Sequence, residues 1–191
     1  TQIPIFFQQS DTLIIKSADV GVLEKSEKYV LPEIGKFQIT PNHLVFENVK
    51  LDIKKSPSEN FELLQIYEAT GSNSRAAMAN ASNISHNIDQ QDLELVIPAF
   101  LYVPKKDHYR NQQVRYILKV PEGKAVFLDE STASILYDVK NVTDTYDRHM
   151  VSHTWQMLPD GLTCLDCKFS SDQDYYERSE DDVEFFFEDF N

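Results

Sequence analysis

Residues 116–167 read YILKVPEGKAVFLDESTASILYDVKNVTDTYDRHMVSHTWQMLPDGLTCLDC, and the first half of this run decides the fold class. Together with the preceding Val114, the residues Tyr116, Leu118 and Val120 recur at every second position. That is the period of a strand with one buried face, not of a helix. Pro121-Glu122-Gly123 then supplies a turn, Val126 and Leu128 start a second short strand, and Ile135, Tyr137 and Val139 predict a third. The middle of the run gathers Asp, Tyr and two His, and its end is a C-x-x-C pair, Cys164 and Cys167.

The same two-residue period extends toward the N-terminus. It marks Leu13 to Ile15, Phe37 to Ile39, Leu44 to Phe46, Val49/Leu51/Ile53, Phe61 to Tyr67, Leu93/Leu95/Ile97 and Phe100 to Val103. Turn formers separate these segments at Leu31-Pro32 with Gly35, Thr40-Pro41-Asn42, Ser56-Pro57-Ser58 and Val103-Pro104. Many short strands with turns between them predict a mainly β chain rather than an α/β enzyme. We read an irregular β-solenoid, with a β-sandwich as the alternative, since periodicity alone fits both. One stretch departs from the pattern. Ala77, Ala81, Ile84 and Ile88 fall at helical spacing, which predicts one amphipathic helix near residues 73–87 with Ser72 or Ser74 as its N-cap. Such a helix is expected to shield a sheet edge.

The chain has 191 residues, 41% of them hydrophobic and 12% aromatic, enough to bury a core without staples. We divide it into a single β-rich domain over residues 1–170 and an acidic tail over residues 171–191. The formal net charge is −13, with 18 scattered basic residues, so a nucleic-acid partner is excluded on electrostatic grounds. The tail holds nine acids against Arg178. Its phenylalanines, Phe185, Phe186, Phe187 and Phe190, make it a candidate docking segment as well as a solvated run. No apolar stretch of about 18 residues and no signal region occurs. The start at Thr1 rather than Met is expected of a processed piece.

The order of features in FELLQIYEATGSNSRAAMANASNISHNIDQQDLELVIPAFLYVP (61–104), VRYILKVPEGKAVFLDES (114–131), YDVKNVTDTYDRHMVSHTWQM (137–157) and GLTCLDC (161–167) carries a resemblance. It resembles the C-terminal extracytoplasmic region of bacterial PspC-domain (phage-shock-protein-C-type) membrane proteins, over roughly residues 35–167. The strand, helix, strand portion is also similar to adhesin-type domains built as β-solenoids. The resemblance implies that a PspC domain and membrane-spanning helices precede this region, so the membrane-spanning part of the same protein is the expected partner. The implied address is the periplasmic side of the cytoplasmic membrane. The implied role is a non-catalytic binding or sensing module in the envelope stress response, acting through partner contacts or through self-association at strand edges; no ligand is implied.

Candidate sites follow. In an extracytoplasmic setting Cys164 and Cys167 are expected to form a structural disulfide or a quiet thiol pair. As half a zinc site they would need His149, His153 or a second chain for the remaining ligands; a redox couple would want a βαβ setting. His149 and His153 lie four apart, but Met150 stands where a zincin has glutamate. Read as a strand, His149, Val151, His153, Trp155 and Met157 share a half-apolar face, and the histidines pack. Asp138, Asp144 and Asp147 could supply a carboxylate pair for glycoside hydrolysis, although Asp and Asn in this segment suit Asx turns. A carbohydrate-active or metal-dependent enzyme using Asp138, Asp144, Asp147, His149 and His153 is therefore the alternative function. No G-x-S-x-G, P-loop or G-x-G-x-x-G occurs, and no metal, cofactor or catalytic residue is assigned.

Overall fold

A computed structural model describes residues 2–4, 11–19, 26–31 and 35–167. The acidic tail, with Phe185, Phe186, Phe187 and Phe190, lies outside the described residues. Numbered in chain order, the strands are β1 (Gln2–Pro4), β2 (Thr12–Ala18), β3 (Glu27–Leu31), β4 (Gly35–Ile39), β5 (His43–Glu47), β6 (Val49–Lys55) and β7 (Glu62–Glu68). After helix α1 (Ser74–Ser82) come β8 (Asp89–Gln91), β9 (Glu94–Pro98), β10 (Phe100–Pro104), β11 (Gln113–Val120) and β12 (Ala125–Leu128). A short helix α2 (Asp147–Met150) precedes the hairpin of β13 (His153–Leu158) and β14 (Gly161–Cys164).

The chain is mainly β, as its periodicity predicts, and among the described residues its strands form three sheets, none closed. Their orders are β1-β7-β11-β6, β10-β5-β4-β3 and β14-β13-β12-β2-β9-β8. Two sets of parallel neighbours stand out. In one, β9, β2 and β12 lie side by side, with Ile15 beside both Leu95 and Leu128. In the other, β11 runs parallel to β6, placing Tyr116 beside Leu51, and Leu51 makes a parallel bridge to Leu136 on its other side. Each row is buried: Leu95, Ile15, Leu128, Tyr116 and Leu51 are 0% exposed and Leu136 is 8% exposed. Parallel registry stacks apolar side chains of neighbouring segments on one another, so one row of burial fixes the register of all three.

The segment around β11 behaves as its sequence dictates. Its burial alternates without a break along the strand, because the strand is central between β6 and β7 and only one face meets the core. The turn that follows places Gly123 at φ +82°, with the Lys124 amide donating to Pro121 O at 3.1 Å. A positive φ at the third turn position is cheap only for glycine.

Three expectations need correction. The helix ends at Ser82, not near residue 87, and Asn73 rather than Ser72 or Ser74 caps it, its side-chain oxygen accepting from the Ala76 amide at 3.0 Å. Beyond Asn83 the chain extends, and Ser85 exchanges two backbone hydrogen bonds with Tyr102, of 2.8 and 3.0 Å. Ile84 thus reaches the core from extended chain, which is why its helical spacing misleads; no residue of α1 is buried, and Met78 is 73% exposed. Second, Ile135 to Val139 is not a strand. Ile135 and Leu136 are both buried, Tyr137 is exposed, and Asp138 adopts φ +53°, which no ladder propagates. Third, His149 is in α2 and exposed, so the shared face begins only at His153. Trp155 and Met157, by contrast, lie in the core.

Gly71 shows how the helix is seated. A Cβ there would meet the Ala77 nitrogen at 2.3 Å, a contact that something must move to relieve. Because α1 buries none of its own residues, it can lift off locally without opening the sheets. Gly71→Ala is therefore expected to speed amide hydrogen exchange across residues 74–82 at least tenfold, as about 1.4 kcal/mol of lost docking would do. Exchange in β7 and β11 should stay unchanged. Equal acceleration in all three elements would contradict this.

Candidate functional site

The five-residue polar cluster expected from the sequence is divided by the fold. Asp138, Asp144 and Asp147 line one open cleft of about 280 Å³ together with Lys140, Asn141 and Tyr146. The Asp147 carboxylate accepts the backbone amides of Asp138 at 2.7 Å and Val139 at 3.0 Å, one on each oxygen. Asn141 Oδ1 accepts from the Thr145 amide at 2.9 Å and the Thr143 hydroxyl at 3.1 Å, while its Nδ2 donates to Thr145 O at 2.8 Å. All of these bonds satisfy backbone groups of a loop that no strand pairs; those of Asn141 are local, while those of Asp147 reach back eight and nine residues and close the loop. Asp138 pairs with Lys140 at 2.7 Å, and Asp144 sits at φ +52°, a left-handed conformation that aspartate tolerates. His149 is exposed on α2, where Arg148 Nε donates to its Nε2 at 3.1 Å. His153 leaves the cluster altogether.

His153 instead opens the β13–β14 hairpin and faces Asp166, with Nδ1 at 3.2 Å from Oδ1. The Thr154 amide donates to the same carboxylate at 3.0 and 3.2 Å. Burial would raise the Asp166 carboxyl, but its bonds to Thr154 and His153 prevail and hold it below the ordinary aspartate value. Cys164, opposite Trp155 in the hairpin register, forms a disulfide with Cys167 across a Cα–Cα distance of 5.7 Å. One ligand-type atom from each of His153, Cys164, Asp166 and Cys167 lies within 4.8 Å of the others.

A third arrangement is buried. His86 and Tyr116 are 5% and 0% exposed, and the Tyr116 oxygen lies 2.8 Å from His86 Nδ1. His86 Nε2 is 2.9 Å from Pro98 O. A carbonyl can only accept, so Nε2 carries the proton, Nδ1 accepts from the tyrosine, and the tyrosine oxygen accepts from Gln65 Nε2 at 2.6 Å. Gln65 Nε2 and the Tyr67 hydroxyl also donate to His86 O, at 3.4 and 3.2 Å. Burial lowers the His86 pKa against a smaller opposing effect of the Pro98 bond, and burial with the nearby Tyr67 raises Tyr116. Both groups are thus neutral near pH 7. A groove of about 430 Å³, lined by His86 with Ser85, Asn87, Pro98, Phe100 and Tyr102, opens beside this network.

The family model described as ToastRack found in some PspC matches residues 40–171. The chain belongs to this family. The matched span agrees with the PspC C-terminal region read from the sequence. It contains the Asp-lined cleft, the hairpin and the His86 network. No curated protein and no solved structure gives a significant match to the chain.

Within this ToastRack region the Asp147 carboxylate holds the loop that lines the cleft. Asp147→Ala removes the acceptor of two loop amides and is expected to cost about 2 kcal/mol by urea denaturation, in the range for hydrogen bonds to charged groups. Asp144→Ala should stay within about 0.5 kcal/mol, as surface changes usually do. Equal losses in the two would show that the turn is not held by Asp147. The His86 network was missed from sequence, although one sign was present. Gln65 is in phase with the buried Leu63 along β7, a polar side chain where the alternation calls for an apolar one.

Proposed function

We propose that this ToastRack region is a non-catalytic binding or sensing module, held outside the cytoplasmic membrane by the membrane-spanning part of a PspC-type protein, and that it serves the envelope stress response. The observation that carries this reading is the family match over residues 40–171, the C-terminal region of some PspC proteins. Among the described residues no helix is long and apolar enough to cross a membrane, which accords with a region lying beside the bilayer. The parallel rows Leu95–Ile15–Leu128 and Tyr116–Leu51–Leu136 are the feature that supports an irregular solenoid, although each row is stacked out of chain order, with its earliest segment in the middle. Such a stack offers long, rigid outer faces and end strands, the equipment of a binding scaffold. At β3, an edge strand among the described residues, Tyr29 and Val30 are 43% and 80% exposed, and pairing of that edge with a second copy is the form of self-association we favour.

The engagement of Asp147 with two backbone amides, and the separation of His153 from the cleft, support a binding role over the carbohydrate-active or metal-dependent enzyme built on the five residues. In cells carrying the full-length protein and an envelope-stress reporter, deletion of residues 40–171 is expected to abolish the reporter response. The double variant Asp144→Ala/His149→Ala, at two exposed positions, should leave it at the wild-type level. A response lost in the double variant while the protein remains folded and at normal abundance would favour the enzyme.

A further inference from the structure

We infer that the end of the β13–β14 hairpin is a redox-gated metal site, in which reduced Cys164 and Cys167 with His153 and Asp166 hold a thiophilic divalent cation of the zinc class. Two thiolates, an imidazole and a carboxylate are the donor types zinc takes in four-coordinate tetrahedral sites. Ligand bonds of about 2.0–2.3 Å place tetrahedral donor atoms roughly 3.3–3.8 Å apart. The four candidate donors already lie within 4.8 Å of one another, so once reduction lets the two sulfurs part, side-chain adjustments of about 1–2 Å form the shell.

The hairpin positions His153, Cys164 and Asp166 independently of the disulfide, and Cys167 follows Asp166 directly. Cys164 is the last residue of β14 and registers with Trp155, which is fully buried. The Leu165 amide donates to Thr154 O at 2.8 Å, and the Thr154 amide returns a bond to Asp166 at 3.0 Å, so the backbone of the turn is tied to β13 from both directions. His153 and Asp166 remain open to an arriving ion, with side chains 36% and 48% exposed. A disulfide spanning only three positions in sequence closes a small loop and removes little unfolded-state entropy, so opening it costs the fold little.

The gate is a balanced exchange. A dithiol reductant breaks the Cys164–Cys167 bond, becoming itself a disulfide while the protein gains two thiols. The cation then displaces a proton from each thiol and binds both thiolates. Reoxidation by a disulfide oxidant of the same class releases the metal and restores the S–S bond. The oxidised hairpin therefore has no thiolate to offer, and metal occupancy reports the thiol redox state at this end of the domain.

The test is a cobalt(II) titration of the protein reduced with a phosphine and kept anaerobic. At one equivalent, thiolate-to-cobalt charge-transfer bands and tetrahedral ligand-field bands are expected, both discharged by zinc and both absent from the oxidised protein. His153→Ala and Asp166→Asn should each weaken cobalt binding at least about tenfold, and Cys164→Ser should remove the charge-transfer bands. The near-ultraviolet circular dichroism of Trp155 monitors folding throughout. No stoichiometric cobalt spectrum, equal affinity in the His153 and Asp166 variants and wild type, or loss of the Trp155 signal on reduction would each overturn the inference.

Discussion

Trp155→Ala is expected to lower the unfolding free energy by about 3–5 kcal/mol, the cost of removing a large aromatic from a packed core. Trp155 is 0% exposed in β13, between β12 and β14, and registers with Val126, itself fully buried. Its indole N–H donates to Met150 O at 2.8 Å, a bond that ties α2 to the strand. Truncation leaves a cavity and an unsatisfied carbonyl together. With domain stabilities of about 5–15 kcal/mol, this change alone removes a large share. Trp155→Phe keeps most of the volume and loses the bond, for which we expect about 1–2 kcal/mol. Urea denaturation of both variants separates packing from hydrogen bonding. A loss under about 1 kcal/mol in Trp155→Ala would mean that the hairpin is not part of the core.

The second large effect belongs to the His86–Tyr116–Gln65 network. Tyr116→Phe strips His86 Nδ1 of its donor and Gln65 Nε2 of an acceptor, both at sites less than 10% exposed, and about 2–3 kcal/mol should be lost. Protonating His86 has a related consequence, because a charged imidazole must donate from Nδ1 and would oppose the Tyr116 O–H that it now accepts. Burial depresses the folded-state pKa of His86 below its ordinary 6.5. The unfolded chain therefore binds the proton first as pH falls. Stability from the neutral ring is complete above about 6.5 and is lost as pH drops from there through the folded-state value. Melting temperature measured from pH 8 to pH 5 should decline in the wild type, and the decline should be shallower in His86→Gln, which cannot titrate. Parallel curves for the two proteins would contradict the assignment.

What could be read from the sequence follows from how each element meets solvent. β11 and β6 are one-face-buried strands in a sheet, so alternation reveals them directly. β3 and β8 escape this reading: residues 27–30 of β3 are all exposed, and β8 is largely so. An edge strand held by backbone bonds needs no apolar period. Ile135 to Val139 fails in the opposite sense, since its apolar residues are real core contacts delivered by a turn. The C-x-x-C pair and His153 were visible as donors, but Asp166 gained its meaning only from the hairpin, which brings it back to His153 thirteen residues away. The His86 network joins positions up to 51 apart in sequence, across a loop and two strands. Hydrogen bonds of that reach leave no local period to detect.

The proposed placement of this ToastRack region is outside the cytoplasmic membrane, as part of a PspC-type protein. Cysteine labelling of the full-length protein distinguishes this placement from a cytoplasmic one. Val142 is 50% exposed, and Val142→Cys in a Cys164→Ser/Cys167→Ser background provides one accessible thiol among the described residues. In intact spheroplasts a membrane-impermeant maleimide should label this thiol as fully as it does after lysis. Labelling that appears only once the membrane is broken would place the region on the cytoplasmic side and rule out an extracytoplasmic module.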